Sequence, residues 1–398
     1  MESKTRIKGN VHYVGVNDRN KHRFEGMWPL PYGVSYNSYL IDDEMVALVD
    51  TVDICYFEVY LRKIKQVIGE RPINYLIINH MEPDHSGSIR LIKQHYPEII
   101  IVGNKQTFGM IEGFYGVTGE QYLVKEGDFL ALGHHKLRFY MTPMVHWPET
   151  MMTFDETDGV LFSGDGFGCF GTVDGGFLDT RINVDKYWGE MVRYYSNIVG
   201  KYGSPVQKAL QKLGGLPISA ICSTHGPVWT ENIAKVIGIY DRLSRYDADE
   251  GVVIAYGSMY GNTEQMAEAI AEELSAQGVK NIVMHNVTKS HPSYIIADIF
   301  RYKGLIIGSP TYSNQIFPEV EALLSKILLR EVKGRYLGYF GSFTWAGAAV
   351  KRLAEFAEKS KFELVGDPVE MKQAMKDLTY TQCENLARAM ADRLKKDR

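Results

Sequence analysis

The strongest constraint on the fold is a regular alternation of apolar runs and helical stretches in the second half of the chain. The stretch after the first run places Met266, Ile270 and Leu274 at fourfold spacing, which gives a helix one apolar stripe. Strands that alternate with helices in this way form doubly wound parallel sheets. Residues 251–398 are therefore predicted to be an α/β domain with a five-stranded parallel sheet. The predicted strands are Val252–Tyr256, Ile282–Met284, Leu305–Ile307, Tyr336–Phe340 and Phe362–Val365.

The first half has a less regular pattern of mixed α and β segments. A polar, charged stretch at residues 241–251 fits a domain boundary. We therefore predict two domains, 1–250 and 251–398, as expected at roughly 100–200 residues per domain. The strand candidates of the first half are Val46–Val49, Leu76–Ile78, Ile99–Val102, Leu137–Tyr140, Val160–Phe162 and Ile218–Ile221, and its clearest helical stretches are Tyr56–Gly69 and Val184–Gly200.

Composition excludes several classes of protein. Lys and Arg number 44 against 48 Asp and Glu, for a net charge of −4, and no basic run stands out, which argues against a nucleic-acid or polybasic membrane surface. The 4 cysteines are scattered without a CxxC pair, which argues against a disulfide framework or a cysteine zinc site. The N-terminus lacks the apolar stretch of a signal peptide, and no run approaches 18 apolar residues. We expect a cytoplasmic protein.

Three segments rich in hydroxyl groups and glycine follow predicted strands of the second half. The first, Gly257–Thr263, leads into a helix N-terminus, where backbone N–H groups and the helix dipole attract an anion. It contains neither GxGxxG nor GxxxxGK[ST], which disfavours a dinucleotide or nucleoside triphosphate. The others, Gly308–Asn314 and Gly341–Gly347, follow the third and fourth strands, at the edge where such sheets bind ligands. A mononucleotide monophosphate fits; ordinary turns are the alternative.

Aromatic residues in these segments suit a flat ring. Tyr312 and Trp345 are placed to sandwich one, with simple packing as the alternative role of each. With these segments, the second half resembles flavodoxin. The resemblance implies a flavodoxin-like fold and FMN as the cofactor. The predicted cofactor-binding residues are Ser258, Met259, Tyr260, Gly261, Asn262, Thr263, Ser309, Pro310, Thr311, Tyr312, Asn314, Ser342, Phe343, Thr344, Trp345 and Gly347.

Potential metal ligands cluster in the first half. Four of them lie within residues 80–85, and Pro83 among these predicts a loop rather than a regular helix. Four imidazoles and three carboxylates suit borderline transition metals with open positions, and suffice for two ions with one bridging carboxylate. The alternative for any single histidine is a hydrogen-bonded core residue. The candidates are His80, Glu82, Asp84 and His85 after one predicted strand, and His146, Asp165 and His225 after three others.

This pattern resembles the metallo-β-lactamase fold, an αββα sandwich with its metals at one edge. Asp50, after the Val46–Val49 strand, matches a supporting aspartate of that fold. Hydrolases with this fold carry HxHxDH and usually bind zinc, whereas here Glu82 replaces the middle histidine. An anionic oxygen ligand makes the site harder and favours iron. Combined with the flavodoxin-like half, the chain resembles the flavodiiron proteins, also called A-type flavoproteins.

The resemblance assigns roles to the candidates. His80, Glu82 and His146 would hold one iron, Asp84, His85 and His225 the other, and Asp165 would bridge them. His85 is the least certain, because it is swung away from the metal in some members. The diiron centre itself is the catalyst, without a separate catalytic side chain. Two further pairs are not assigned as metal ligands. Cys169 and Cys222 are expected to be small buried residues. His134 and His135, after Gly133, are expected at the surface.

The implied function is that of an oxidoreductase that reduces dioxygen to water, nitric oxide to nitrous oxide, or both. Electrons would pass from an external donor through FMN to the non-haem diiron site. Only Cys383 lies beyond residue 250, so a four-cysteine rubredoxin site is not expected in these residues. The donor is expected to be separate: rubredoxin, a reduced deazaflavin or a flavin reductase.

The resemblance also bears on how the chain assembles. It implies a head-to-tail homodimer, in some members doubled to a tetramer, and a monomer with its domains folded together is the alternative.

The functional alternatives are a zinc hydrolase fused to a flavin module and a non-catalytic electron carrier or redox sensor. Metal analysis separates the first from a diiron enzyme, and gas consumption separates the second. The residue pattern does not separate oxygen from nitric oxide as the substrate.

Overall fold

The computed structural model describes residues 4–397. Residues 1–3, on which the expectation of no signal peptide partly rests, and residue 398 lie outside that range. The chain divides into two compact units: one runs to Tyr195 and resumes over Tyr202–Ser244, and the other comprises Ser196–Lys201 and Arg245 onward. No sequence signal indicated that Ser196–Lys201 groups with the second unit. Among the described residues, no helix is both long and apolar enough to cross a bilayer.

The first unit is built from short strands and seven helices within the described residues. Its strands are β1 (Arg6–Lys8), β2 (Val11–Tyr13), β3 (Val16–Asp18), β4 (Arg23–Phe24), β5 (Trp28–Pro29), β6 (Val34–Tyr36), β7 (Tyr39–Ile41), β8 (Ala47–Val49), β9 (Tyr75–Ile77), β10 (Ile100–Gly103), β11 (Gln121–Leu123), β12 (Phe129–Ala131), β13 (Lys136–Met141), β14 (Met151–Asp155), β15 (Val160–Gly164) and β16 (Ala220–Ser223). Its helices are α1 (Phe57–Ile68), α2 (Pro83–Ser86), α3 (Ile89–His95), α4 (Lys105–Tyr115), α5 (Asp185–Tyr194), α6 (Gly203–Leu213) and α7 (Ile233–Ser244).

Two sheets pack face to face in this unit. One has the strand order β1-β2-β7-β8-β9-β10-β11 and the other β12-β13-β14-β15-β16. Both contribute to a single core, for example Val49 and Ile77 from the first sheet and Phe139 and Phe162 from the second. Leu48 alternates to the opposite face and is equally buried, which requires a covering layer there. Helices such as α1, with apolar residues along one side, supply it. The predicted αββα fold is confirmed.

Strand direction brings the predicted ligands to one edge. Strands β8, β9 and β10 run parallel, β15 and β16 run parallel, and β14 runs antiparallel to β15. The segments that follow β15 and β16 therefore leave their sheet at the same edge as the connection between β13 and β14. The backbone N–H of Met151, the first residue of β14, donates to the carbonyl of Asn79, after β9, over 3.0 Å. This bond joins the two sheets beside the site.

The segment after β9 is not the loop that we predicted. Pro83 starts the single helical turn α2 instead of preventing a helix. Proline at the first helical position loses no hydrogen bond, and its fixed φ suits the helix. Glu82 precedes this turn as its N-cap residue, and Asp84 and His85 lie within the turn.

The second unit alternates strands and helices as predicted. Its main sheet has the order β18-β17-β19-β21-β22 with all neighbours parallel, which is the flavodoxin-like order 2-1-3-4-5. The fifth strand is split, because β22 and β23 both pair with β21 on either side of Gly366, whose φ is 70°. The elements are β17 (Asp249–Tyr256), α8 (Asn262–Ala276), β18 (Ile282–Asn286), α9 (Pro292–Arg301), β19 (Tyr302–Tyr312), β20 (Gln315–Ile316), α10 (Pro318–Arg330), β21 (Tyr336–Phe343), α11 (Ala349–Ser360), β22 (Glu363–Leu364), β23 (Val369–Lys372) and α12 (Asp377–Lys395).

Two of the three predicted cofactor loops are partly strand. Strand β19 continues to Tyr312 and turns through Ser313 and Asn314, both with positive φ, into the antiparallel β20. Strand β21 continues to Phe343 because β23 pairs with it there. We expected both segments to follow their strands, and this was wrong for residues 308–312 and 341–343, which form the strand ends. Those residues include the predicted cofactor contacts Ser309, Pro310, Thr311, Tyr312, Ser342 and Phe343. Both extensions depend on partner strands that local sequence does not reveal.

Candidate functional site

The seven predicted metal ligands lie together at the edge where the two sheets of the first unit meet. Their side chains are almost fully buried, and those of Glu82 and Asp84 retain only 10% exposure. Ligand atoms of His80, Glu82, His85 and Asp165 all lie within 4.8 Å of one another, as do those of Asp84, His85 and His225. His146 reaches the same cluster from the connection between β13 and β14.

One half of the cluster surrounds a single oxygen of Asp165. His146 Nε2 lies 3.1 Å from Asp165 Oδ2 and 3.1 Å from Glu82 Oε2. His80 Nε2 lies 3.7 Å from Asp165 Oδ2 and 3.6 Å from Glu82 Oε2. We call this group of His80, Glu82, His146 and Asp165 Oδ2 position A.

The other half surrounds the second oxygen of the same carboxylate. His85 Nε2 lies 3.2 Å from Asp165 Oδ1 and 3.5 Å from Asp84 Oδ1. His225 Nε2 lies 3.6 Å from Asp165 Oδ1 and 3.3 Å from Asp84 Oδ2. We call this group of Asp84, His85, His225 and Asp165 Oδ1 position B. Each position thus has two imidazoles, one carboxylate of its own and one oxygen of Asp165.

Five of the inward-facing atoms lack hydrogen bonds within residues 4–397. They are Nε2 of His80, His85 and His225 and both carboxylate oxygens of Asp84. Buried polar atoms without partners are costly, and native proteins rarely retain them. A metal ion at each position would satisfy all of these lone pairs. The donor set therefore fits two cations.

The electrostatics of the cluster also favour positive charge. Burial alone would lower the pKa of His146, but Asp165 and Glu82 raise it to about 9. Burial is likewise outweighed at His225, whose pKa Asp84 and Asp165 raise to about 9. Burial would raise the pKa of Asp165, yet His85 and His80 hold it well below its usual range. The Asp165 carboxylate therefore stays ionised and stabilises cations on either side of it.

Several supporting residues were missed from the sequence. Tyr194 on α5 donates its hydroxyl to Asp165 Oδ2 over 2.8 Å, and Thr224 donates to Asp165 Oδ1 over 2.5 Å. These two bonds fix the orientation of the shared carboxylate. Glu149 Oε1 lies 2.7 Å from His80 Nδ1. Thr224 directly precedes the predicted ligand His225, and Glu149 lies three residues after His146, so nearness along the chain offered a signal for both. Tyr194 offered none.

Asp50 occupies the supporting place that the resemblance gave it. Its carboxylate is buried and accepts hydrogen bonds from the backbone N–H of Asn79 over 2.8 Å and from the Asn79 side chain over 3.0 Å. Asn79 precedes His80, so Asp50 fixes the start of the ligand segment after β9. Its oxygens are occupied by these bonds.

The cysteines were predicted correctly and one histidine was not. Cys169 and Cys222 are buried and unpaired, as expected. His134 is exposed, but His135 is buried, and its Nδ1 lies 2.9 Å from Asp155 Oδ2. The surface prediction for His135 was wrong because the pairing of β13 with β14 brings Asp155 beside it. This pair and the nearby Asp158 form another group of metal-ligand types, but their atoms already contact each other.

The first predicted phosphate segment joins β17 to α8 in the second unit. Gly261 has a φ of 88°, and no atom lies within 4 Å of a Cβ built there. Ser258 Oγ accepts a hydrogen bond from the Gly261 N–H over 3.1 Å, which closes the loop. Gly261, the residue before α8, has no side chain to cap the helix, and Ser258 Oγ accepts from the Glu264 N–H in the first turn over 3.4 Å. The open space at Gly261 and the start of the helix suit a phosphate.

The three segments meet at one edge of this unit. Thr263 Oγ1 and Ser342 Oγ lie 2.9 Å apart and join the first segment to the third. Thr311 Oγ1 accepts from the backbone N–H groups of Ala348 and Ala349, over 3.0 and 3.2 Å, and joins the second to the third. Of the remaining predicted contacts, Ser309 and Pro310 are buried, Asn262 and Phe343 are half-buried, and Met259, Asn314, Thr344 and Gly347 are exposed.

Large aromatic side chains are exposed at this edge. Tyr260 is 90% exposed, Trp345 83% and Tyr312 47%. Such exposure leaves apolar rings in water, and a planar ligand stacked between them would remove it. The segments therefore fit a phosphate with an attached flat ring.

Comparison with known proteins decides the family. The family described as ODP family beta lactamase matches residues 34–226, and Flavodoxin matches residues 254–385. The anaerobic nitric oxide reductase flavorubredoxin of Vibrio vulnificus (strain YJ016) is 32% identical over 363 residues, which cover 90% of this chain and 73% of that protein. The chain belongs to the flavodiiron proteins.

Solved structures agree over nearly the whole flavodiiron chain. The rubredoxin oxygen:oxidoreductase of Desulfovibrio gigas is 31% identical, with a TM-score of 0.93 and 97% of each chain covered. The flavodiiron protein of Giardia intestinalis is 26% identical, with a TM-score of 0.91 and 100% of each chain covered. The family predicted from the ligand pattern is confirmed, and the flavodoxin match indicates FMN for the second unit.

Proposed function

We propose that this flavodiiron protein is an oxidoreductase that reduces dioxygen to water, nitric oxide to nitrous oxide, or both. The observation that carries the proposal is the Asp165 carboxylate, which turns Oδ2 to position A and Oδ1 to position B. Two irons that share a carboxylate supply electrons and open positions for a diatomic gas. The two most informative relatives are named a nitric oxide reductase and an oxygen oxidoreductase.

The residues of the first unit select iron and hold it. His80, Glu82 and His146 are the proposed ligands of position A, Asp84, His85 and His225 those of position B, and Asp165 the bridge. Anionic oxygen donors favour iron over zinc. Burial raises the pKa of both the Cys169 and the Cys222 thiols well above the ordinary value, so neither supplies a thiolate ligand.

The residues of the second unit bind and orient FMN. In this proposal, the Gly257–Thr263 segment takes the phosphate, because Gly261 leaves room for the close approach of backbone N–H groups. Tyr312 and Trp345 bracket the flavin ring, and burial of their exposed faces contributes to affinity. Electrons enter here from a separate donor: rubredoxin, a reduced deazaflavin or a flavin reductase. Rubredoxin is the donor class named for the D. gigas relative.

The decisive experiment measures gas consumption. Purified protein is reduced anaerobically through its flavin and mixed with dioxygen or with nitric oxide in separate electrode chambers. We expect sustained consumption of at least one gas by the wild type and none by His146→Ala, which keeps its FMN because the flavin belongs to the other unit. A protein that retains flavin and two irons but consumes neither gas would support the electron-carrier alternative.

We also propose a head-to-tail homodimer in which each flavin faces the irons of the partner. Closed two-fold symmetry is the commonest form of assembly, and short distances are needed for electron transfer. An iron-deficient variant, His146→Ala, is mixed with a flavin-deficient variant, Gly261→Val, under conditions that exchange subunits. Partial return of gas consumption is expected, because one flavin–iron pair in each mixed dimer is intact. Confirmed exchange without any activity would contradict transfer between subunits.

A further inference from the structure

A buried carboxylate contacts position A from behind. The Glu149 side chain is fully buried. Its Oε1 accepts a hydrogen bond from the Met81 N–H over 2.9 Å and lies 2.7 Å from His80 Nδ1. A carboxylate accepts from Nδ1 only when that nitrogen carries the proton, so the lone pair of His80 lies on Nε2. That atom faces Glu82 and Asp165 in position A.

The backbone at Glu149 is held in place, and among the described residues its carboxylate forms an ion pair with His80 alone. Asn104 donates its side-chain amide to the Glu149 carbonyl over 2.5 Å, and Asn104 Oδ1 also accepts from the N–H of Gln106 at the start of α4. Glu149 Oε2 has no hydrogen-bond partner within the described part of the chain. The only ion pair of Glu149 there is with His80, so no lysine or arginine offsets its charge.

Among the described residues, no carboxylate bonds to the far nitrogen of either imidazole of position B. His225 Nδ1 lies 2.8 Å from the backbone carbonyl of Ser35, which is neutral. His85 Nδ1 has no hydrogen bond to any described residue. The buried Asp50 carboxylate interacts electrostatically with His85, but its oxygens accept from Asn79 and from the His80 backbone N–H rather than from an imidazole. The two positions have the same numbers of imidazoles and carboxylate oxygens facing inward, and they differ by the carboxylate of Glu149 on the far nitrogen of a position A imidazole.

We propose that Glu149 is a positioning residue that makes the two metal positions unequal, so that iron at position A is held more tightly and oxidised more readily than iron at position B. A carboxylate on the far nitrogen of a ligating imidazole fixes the ring and increases its basicity. The added negative charge also favours the higher oxidation state of the nearer ion. This inference rests on the proposed function, because it requires iron at both positions.

The test follows the loss of iron from the full-length, iron-loaded protein. Reduced protein is exposed to a ferrous chelator, and samples are withdrawn for iron analysis. Crystals grown from partly depleted protein, measured at the iron absorption edge, identify the position that empties first. We expect position B to empty first and position A to follow about 10-fold more slowly. The midpoint potential of each iron is measured on the same preparation.

Glu149→Gln isolates the charge, because glutamine keeps the size and a hydrogen-bond acceptor. Iron at position A should be lost about 10-fold faster in this variant and its potential should rise, while position B is unchanged. Asp155→Asn is the matched control: it neutralises a buried carboxylate that contacts another imidazole, His135, from the far end of β14. This control should leave both rates and both potentials as in the wild type.

Three results would overturn the inference. They are simultaneous loss of both irons from the wild type, first loss from position A, and wild-type rates and potentials in Glu149→Gln. Should that variant not fold, the order of loss in the wild type decides alone. A protein that takes up no iron at either position would instead contradict the proposed function, so the two failures are distinguishable.

Discussion

The two cofactor regions of this flavodiiron protein are built in opposite ways. In the first unit, seven charged or imidazole side chains face inward, six of them in buried residues, with atoms such as His225 Nε2 unpaired within the described chain. In the second unit, the segments around Gly261 are open, and aromatic rings such as Trp345 project into solvent. The first arrangement is costly without cations, and the second leaves apolar surface exposed without a planar ligand. Unpaired ligand atoms therefore indicate cations in the first unit, and exposed aromatic rings indicate a planar ligand in the second.

The largest expected effect comes from removing the shared carboxylate. Asp165→Ala takes one oxygen from each position, so both irons should be lost. Because bound metal supplies several kcal/mol of transition-state stabilisation, gas consumption should fall more than about 100-fold. FMN content should stay at wild-type level. The same substitution at Asp174, a half-exposed carboxylate of this unit, is the control and should retain both irons. Retention of iron by Asp165→Ala would show that the carboxylate is not a ligand.

The converse change should remove flavin and spare iron. Gly261→Val places a branched side chain at a φ of 88° in the space proposed for the phosphate. Loss of one or two charge-assisted hydrogen bonds should weaken FMN binding about 10- to 100-fold, as measured by flavin fluorescence. Gly278→Val is the matched control, since Gly278 has a φ of 84° and equally open surroundings. Equal weakening by both variants would assign the effect to backbone strain.

A third change tests whether the second unit can be destabilised separately. Arg335 is buried, and its guanidinium donates to backbone carbonyls including those of Ile299 over 2.6 Å and Phe300 over 2.9 Å. Arg335→Met leaves these carbonyls without donors and should cost about 3 kcal/mol of unfolding free energy. Denaturation followed by flavin release should shift, while iron release should not. Arg388→Met, which removes a partly exposed ion pair with Glu273, should change both transitions far less.

The smallest expected effect concerns His135, the buried imidazole of the first unit that already contacts Asp155. Burial alone would lower the pKa of His135, but the hydrogen bond to Asp155 and the nearby Asp158 outweigh it and raise the pKa. The stabilisation is therefore complete below the ordinary pKa of about 6.5 and is lost as the pH rises through the raised value. Unfolding free energy measured from pH 6 to pH 9 should decline by less in His135→Asn than in the wild type. Iron content should be equal in both, in contrast to the ligand cluster.

The sequence predicted the ligand cluster well because its members lie at strand ends. His80, Asp165 and His225 each follow an apolar run, and strand direction alone brings such positions to one edge of a sandwich. The same reasoning placed the segment at Gly261 between a strand and a helix. Strand ends of this kind are recognised from the local spacing of apolar residues, which can be read directly from the sequence.

Features that depend on distant partners escaped prediction. Tyr194 contacts Asp165 from a helix that carries no local pattern for that role. His135 lies two residues after Gly133 and was expected in a surface turn, yet it is buried and contacts Asp155 on the neighbouring strand β14. Pairing with β20 and β23 likewise converted predicted loops into strand ends. In each case the missing information was tertiary, because the partner lies elsewhere along the chain.

The most direct test of the account replaces the metal. Protein depleted of metal under reducing conditions, with one FMN per chain retained, is reconstituted with two equivalents of iron or of zinc and assayed for consumption of dioxygen and of nitric oxide. We predict that iron restores activity and that zinc, which has no redox chemistry, fills the same positions without restoring it. Equal gas consumption by the zinc-loaded and iron-loaded proteins would contradict a redox-active diiron centre.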